Sequence, residues 1–144
     1  MMKKTLIYAL SAAFIAPQAS ADTLATYRYE NRPLLIFAPD RQSRNYKLQT
    51  EALMIREANI RERDMAVIMI TGSHEQPAIM PGPPAPNVSA ADLRQAHGVD
   101  SDQFAVILIG KDGGEKGRWR EAVSPDEIFA MIDAMPMRQR EMRK

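Results

Sequence analysis

Asp40, Arg41, Ser43 and Arg44 are the residues of this chain whose types and spacing come nearest to chemistry. They follow the apolar run Leu34-Leu35-Ile36-Phe37-Ala38 and its stop, Pro39. A strand ends there and a helix begins, and α/β folds collect ligands at such ends. The free N–H groups of a helix N-terminus would attract an anion, with Arg41 or Arg44 adding full charge. Ser43 is a nucleophile only if a base stands beside it. The two histidines, His74 and His97, lie in a proline-rich stretch and at a helix end, and nothing in their spacing aims either at Ser43. The plainer alternative for the set is an N-cap and solvated arginines. No catalytic residue is assigned.

The chain excludes more chemistry than it offers. It contains no cysteine, which removes disulfides, thiol nucleophiles, CxxC redox chemistry and thiolate metal sites together. Gly110-Lys111-Asp112-Gly113-Gly114 has the flavour of a phosphate loop but lacks the GxxxxGK[ST] spacing and leads to a strand, so it reads as a hairpin turn. Among ten methionines, Met80 near His74 permits a copper(I) idea. Met54, Met65, Met69, Met131 and Met135 are better explained as core filler. Neither a metal nor a cofactor is expected.

Lys3-Lys4, an apolar stretch over residues 5–16 and Ala19-Ser20-Ala21 have the layout of a cleaved signal peptide covering residues 1–21. The leader is bacterial in style, so the expected destination is the periplasm or the exterior, and no later segment is apolar enough to span a membrane. Cleavage would take two lysines and no acid from the 19 basic and 18 acidic residues, leaving the remainder one unit negative. That argues against a nucleic-acid partner, which requires a basic surface.

The elements that must position these residues follow from apolar pattern. Strands are expected over residues 32–38 and 65–71, whose continuous apolar runs, Leu34 to Ala38 and Met65 to Ile70, are the mark of strands covered on both faces. A helix over residues 43–58 between them, facing inward through Leu48, Ala52, Leu53 and Ile55, completes a parallel βαβ unit. Residues 73–88 hold five prolines and read as an irregular exposed loop; Pro77, Met80, Pro83 and Pro84 are its candidate partner-binding residues. A short helix capped by Ser89 and stopped at Gly98 follows, then strands over 104–109 and 116–120 joined by the hairpin turn, with Trp119 turned inward on the edge. Ser124-Pro125-Asp126-Glu127 opens a last helix running to Met135. Arg63-Asp64 and Lys111-Asp112 read as surface pairs flanking strands, and residues 138–144 as a solvated basic tail. The expected architecture is one α/β domain over residues 22–137, with a four-stranded mixed sheet of order 2-1-3-4 and helices on both faces.

Asn31-Arg32-Pro33-Leu34-Leu35-Ile36-Phe37-Ala38-Pro39, Glu62-Arg63-Asp64, the stretch from Leu108 to Lys116 and Ile132-Asp133-Ala134-Met135-Pro136-Met137-Arg138 resemble a family of small secreted domains of unknown function. Related domains occur in vertebrate extracellular sushi-repeat proteins. The resemblance covers residues 24–143 and implies a thioredoxin-like fold closest to peroxiredoxins, with no activity, cofactor or catalytic residue to carry over. Active members of those classes place a reactive cysteine at the start of the first helix, where this chain has Asp40-Arg41-Gln42-Ser43. Thioredoxins also carry a cis-proline before the third strand, where this chain has Asp102-Gln103. The resulting expectation is an exported, noncatalytic module that binds a protein or small-molecule ligand in the cell envelope. The alternative is a cysteine-independent antioxidant or hydrolytic enzyme using the Asp40 to Ser43 corner.

Overall fold

The computed structural model describes residues 23–72, 77–80 and 88–144. The expected leader, His74, Pro83 and Pro84 lie outside the described residues. Five strands form one mixed sheet: β1 (Arg32–Ala38), β2 (Met65–Thr71), β3 (Ala78–Met80), β4 (Ala105–Ile109) and β5 (Glu115–Trp119), in the order β3-β2-β1-β4-β5. The central strand β1 pairs parallel with β2 and antiparallel with β4. Its apolar run is continuous because both of its faces are covered. Leu34 and Ile36 pack with Leu53 and Ile60, from α1 (Arg44–Met54) and α2 (Glu57–Glu62), and with Ile128, Phe129 and Ile132 of α4 (Pro125–Asp133). Leu35 and Phe37 pack on the other face with Leu93 of α3 (Ala90–His97).

Three expectations are corrected. The sheet has five strands, not four in the order 2-1-3-4. The four strands read from the sequence lie together as β2-β1-β4-β5, and β3 is added outside β2, where Ala78, Ile79 and Met80 pair antiparallel with Met69, Ile68 and Val67. Proline cannot donate to a ladder, but these three residues are proline-free, and a short edge strand needs no more.

The helix expected over residues 43–58 is two helices, and its inward face is different. Leu48 and Ile55 are exposed, Ile55 by 84%, whereas Gln49 and Leu53 are fully buried. Gln49 turns inward because both ends of its amide are used: Nε2 donates to the Val123 carbonyl (3.0 Å) and Oε1 accepts from the Val123 N–H (2.7 Å). A buried amide so satisfied costs little, and it ties α1 to the segment entering α4.

Residues 138–144 do not form a solvated tail. Pro136 stands in the first turn of α5 (Pro136–Met142), with its fixed φ suited to that position, and Arg138 is buried. The caps of α3 form as read: Ser89 Oγ accepts from the Asp92 N–H at 3.0 Å, and Gly98 closes the helix at φ +64°. The Ser124 side chain makes no cap bond, and Glu127 Oε1 instead accepts from the Trp119 indole at 3.3 Å.

Candidate functional site

Two places compete for function, at opposite ends of β1. At its C-terminal end, Asp40 is exposed and its Oδ1 accepts from the Gln42 N–H at 2.7 Å, while Ser43 Oγ donates to the Asp40 carbonyl at 3.1 Å. The side chains therefore fold back on their own turn. Ser43 occupies the N-cap position of α1 without a side-chain cap bond, and its hydroxyl proton goes to a carbonyl, not to a base. Arg41 and Arg44 are exposed beside it.

Of the second expected surface, Pro77 stands toward this corner, while β3 runs on from it until Met80 pairs with Val67, level with Leu34. The Gly72 N–H donates to the carbonyls of Ala38 and Pro39, and Ala78 lies opposite Met69, so the segment joining β2 to β3 starts and ends near the close of β1. Pro77 is buried there, and Met80 is half-buried in β3 against the core. Arg94, buried on α3, fixes this end by donating to the carbonyls of Ala38, Gly72 and Asp100 at 2.7–2.9 Å.

The N-terminal end of β1 carries a lattice of charge. Arg32 is 1% exposed; its Nη1 donates to the Arg63 carbonyl (2.9 Å) and to Glu141 Oε2 (3.2 Å), and its Nη2 to Glu141 Oε1 (3.1 Å). Lys111 Nζ joins Glu141 Oε1 at 2.7 Å and Asp64 Oδ2 at 2.8 Å. Alongside, Asp133 accepts two bonds from Arg63 (2.8 and 3.0 Å) and one from Arg138 Nε (3.1 Å). Arg138 also reaches the Glu62 carboxylate at 2.9 Å, and Arg63 lies over the Phe129 ring at 4.6 Å.

Topology makes this convergence. Asp64 stands just before β2, whose first residue pairs with Arg32, and Lys111 follows β4, which runs antiparallel to β1. Helix α5 then brings Arg138 and Glu141 across the same end. The pairs Arg63-Asp64 and Lys111-Asp112 are therefore not simple surface pairs, since Lys111 is nine-tenths buried. The sequence motifs that carry the family resemblance supply Arg32, Glu62, Arg63, Asp64, Lys111, Asp133 and Arg138. Glu141 was the missed member, and its spacing of three from Arg138 on one helix face was the signal that could have found it.

Charge balance sets the electrostatics. Burial alone would raise the Glu141 carboxyl, but hydrogen bonds from Arg32 and Lys111 together outweigh it and hold the group below the ordinary glutamate value. Hydrogen bonding from Arg63, the largest influence, holds Asp133 below the ordinary aspartate value. Burial pulls the Lys111 ammonium down, and its bonds to Asp64 and Glu141 bring it out above the ordinary lysine value.

A carboxyl depressed on folding contributes stability above its unfolded pKa, and that contribution is lost as pH falls through the folded value. Lys111 is the reverse, its contribution being present below its unfolded pKa and lost as pH rises through the folded one. Urea unfolding followed from pH 7 into acid should therefore show stability falling below about pH 4.5. In Glu141→Gln this acid limb is expected to flatten, and an unchanged limb would refute the assignment.

A cleft of about 350 Å³ opens beside the lattice, lined by Arg32, Lys111, Lys116, Met131, Met135 and Met137 among others. Among the described residues, no group of three or more His, Asp or Glu side chains is placed to hold a metal ion, and no helix is long and apolar enough to cross a membrane.

Residues 23–141 match the family described as Domain of unknown function (DUF4174). The chain is 34% identical over 117 residues to sushi repeat-containing protein SRPX2 of Bos taurus, an alignment covering 79% of this chain and 25% of that protein. It is 29% identical over 127 residues to sushi repeat-containing protein SRPX of Homo sapiens, covering 85% and 27% respectively. With coiled-coil domain-containing protein 80 of Danio rerio the identity is 25% over 144 residues, covering 88% and 16%. The chain thus spans about a quarter of the length of the sushi-repeat relatives it matches.

Proposed function

The chain belongs to the DUF4174 family, and from that premise we propose that it is an exported thioredoxin-like module that binds a protein or small-molecule partner without catalysing a reaction. The observation that carries this reading is the closed turn at residues 40–43. A thioredoxin-like scaffold would need its reactive group there, and the chain offers a carboxylate and a hydroxyl already bonded to their own backbone, with no cysteine anywhere. Exposed charge remains at Asp40, Arg41 and Arg44, and Pro77, Met80, Pro83 and Pro84 are the further residues proposed to meet a partner. The parallel β1–β2 pair, the antiparallel β4–β5 pair and helices on both faces support the thioredoxin-like part. Kinship with sushi repeat-containing proteins supports export; the periplasm as destination rests on the composition of the leader.

The competing reading, a cysteine-independent enzyme at the same corner, requires Ser43 or Arg41 to act on substrate. One experiment separates them. The protein and an Asp40→Ala, Arg41→Glu, Arg44→Glu variant are immobilised, exposed to envelope extract, and assayed in parallel for peroxide consumption and ester hydrolysis. A saturable partner kept by the protein and lost by the variant is expected, with no turnover in either. An identical captured set would overturn the binding corner, and turnover abolished by Arg41→Ala would favour the enzyme.

A further inference from the structure

We propose that the cleft at the N-terminal end of β1 is a second binding site, for a small amphiphile made of an alkyl chain ending in a carboxylate. It stands apart from the corner formed by Asp40, Arg41 and Arg44, which lies at the other end of the strand. Its volume, about 350 Å³, falls within the range of small-molecule sites, about 300–1,000 Å³.

The wall is thioether. Met131 ends its side chain near β5, where a Cβ added at Gly117 would stand 3.1 Å from its Sδ and 2.6 Å from Trp119 Cη2. Met135 and Met137 extend the wall across the joint between α4 and α5, and both are half-buried. Methionine is unbranched and polarizable, and adapts to alkyl chains of irregular course. A wall of this kind is read as core filler where it is sealed; here it borders an open cleft.

The charged rim selects the head group. Lys111 Nζ gives two of its three protons to Asp64 and Glu141, and Lys116 Nζ gives one to Asp112 Oδ2 at 2.9 Å. The Lys116–Asp112 pair is partly exposed, with Asp112 53% accessible, so exchanging it for a ligand carboxylate costs little. Arg32 at the base is already paired with Glu141, so the head group is met by the remaining protons of Lys111 and Lys116. An uncharged head would gain no charge-assisted bond there, and a cationic head would compete with Lys116 for Asp112 while facing both lysine ammonium groups. Lysine protons around a soft thioether pocket also disfavour a bare metal cation and favour an anion with an apolar tail.

The single tryptophan, Trp119, packs over Gly117 beside Met131 and reports on the cleft. Octanoate, octanol and octylamine are titrated into the protein, read by Trp119 fluorescence and by calorimetry. Octanoate is expected to bind saturably, and the other two at least about tenfold more weakly, the difference a charge-assisted head-group contact makes. Lys116→Glu and Met137→Glu should each lower octanoate affinity by at least about tenfold while leaving the melting temperature near that of the parent. Equal affinity for the three ligands, no saturable octanoate signal, or unchanged binding in both variants would overturn the site. None of these results touches Asp40, Arg41 or Arg44, so the two surfaces fail or stand separately.

Discussion

Cutting the chain after Met135 is expected to abolish cooperative folding. The excised residues include α5, and with it Glu141, which holds Arg32 and Lys111, and Arg138, which holds Asp133 and Glu62. Arg32 would be left in the core with one carbonyl partner and no counter-charge, and Lys111 with Asp64 alone. Removing one partner of a buried pair costs about 3–5 kcal/mol. The loss of Arg138 from Asp133 and Glu62 adds to this. The total is comparable with the whole stability of a domain of this size, on the order of 5–15 kcal/mol. The control is a chain lacking only Arg143 and Lys144, both exposed, where a change within about 0.5 kcal/mol is expected. Circular dichroism and calorimetry decide it. A chain ending at Met135 that melts cooperatively within a few degrees of the parent would show that α5 is dispensable.

The second large effect belongs to Arg32→Ala. The guanidinium is almost wholly enclosed, holds Glu141 through both terminal nitrogens, and has an Nε with no hydrogen-bond partner. Alanine leaves Glu141 facing only Lys111 and the more distant Arg138, and opens a cavity. The expected cost is about 3–5 kcal/mol, which lowers the melting temperature by roughly 10–20 °C. Arg32→Lys keeps the charge but not the fork, and should fall between parent and alanine. Arg32→Met with Glu141→Leu should recover much of the loss, because replacing both partners of a buried pair removes the unpaired charge. Chemical denaturation of the parent, Arg32→Met, Glu141→Leu and the double variant gives the coupling between the two residues directly. A loss below about 1 kcal/mol in Arg32→Ala would mean that the pair behaves like a surface ion pair.

Both effects depend on burial that local sequence pattern does not carry. Charge pairs such as Arg63-Asp64 and Lys111-Asp112 are solvated far more often than they are buried, so local pattern assigns them to the surface. Their acids do remain exposed, and it is the basic members that are drawn in, because another element covers them: α5 closes over Lys111, and Phe129 supports the half-buried Arg63 from α4. Gln49 fails in the same way. Counting apolar side chains puts Leu48 and Ile55 inward, yet the amide wins because Val123 presents a free N–H and carbonyl at that point.

By itself the sequence determined the elements whose cause is local. Continuous apolar runs specify strands enclosed on two faces, Ser89 and Gly98 bound a helix through their own backbone bonds, Asp-Gly and Gly-Gly set the hairpin, and the absence of cysteine rules out thiol chemistry. Only the tertiary structure decided which charges are buried, which face of α1 points inward, that Ala78–Met80 joins the sheet, and that the final basic stretch is a helix sealing its end. Those outcomes depend on groups far apart in the chain. Arg32 and Glu141 are separated by 109 positions, and the free energy of burying a charge is fixed by the partner that meets it, which no local window contains.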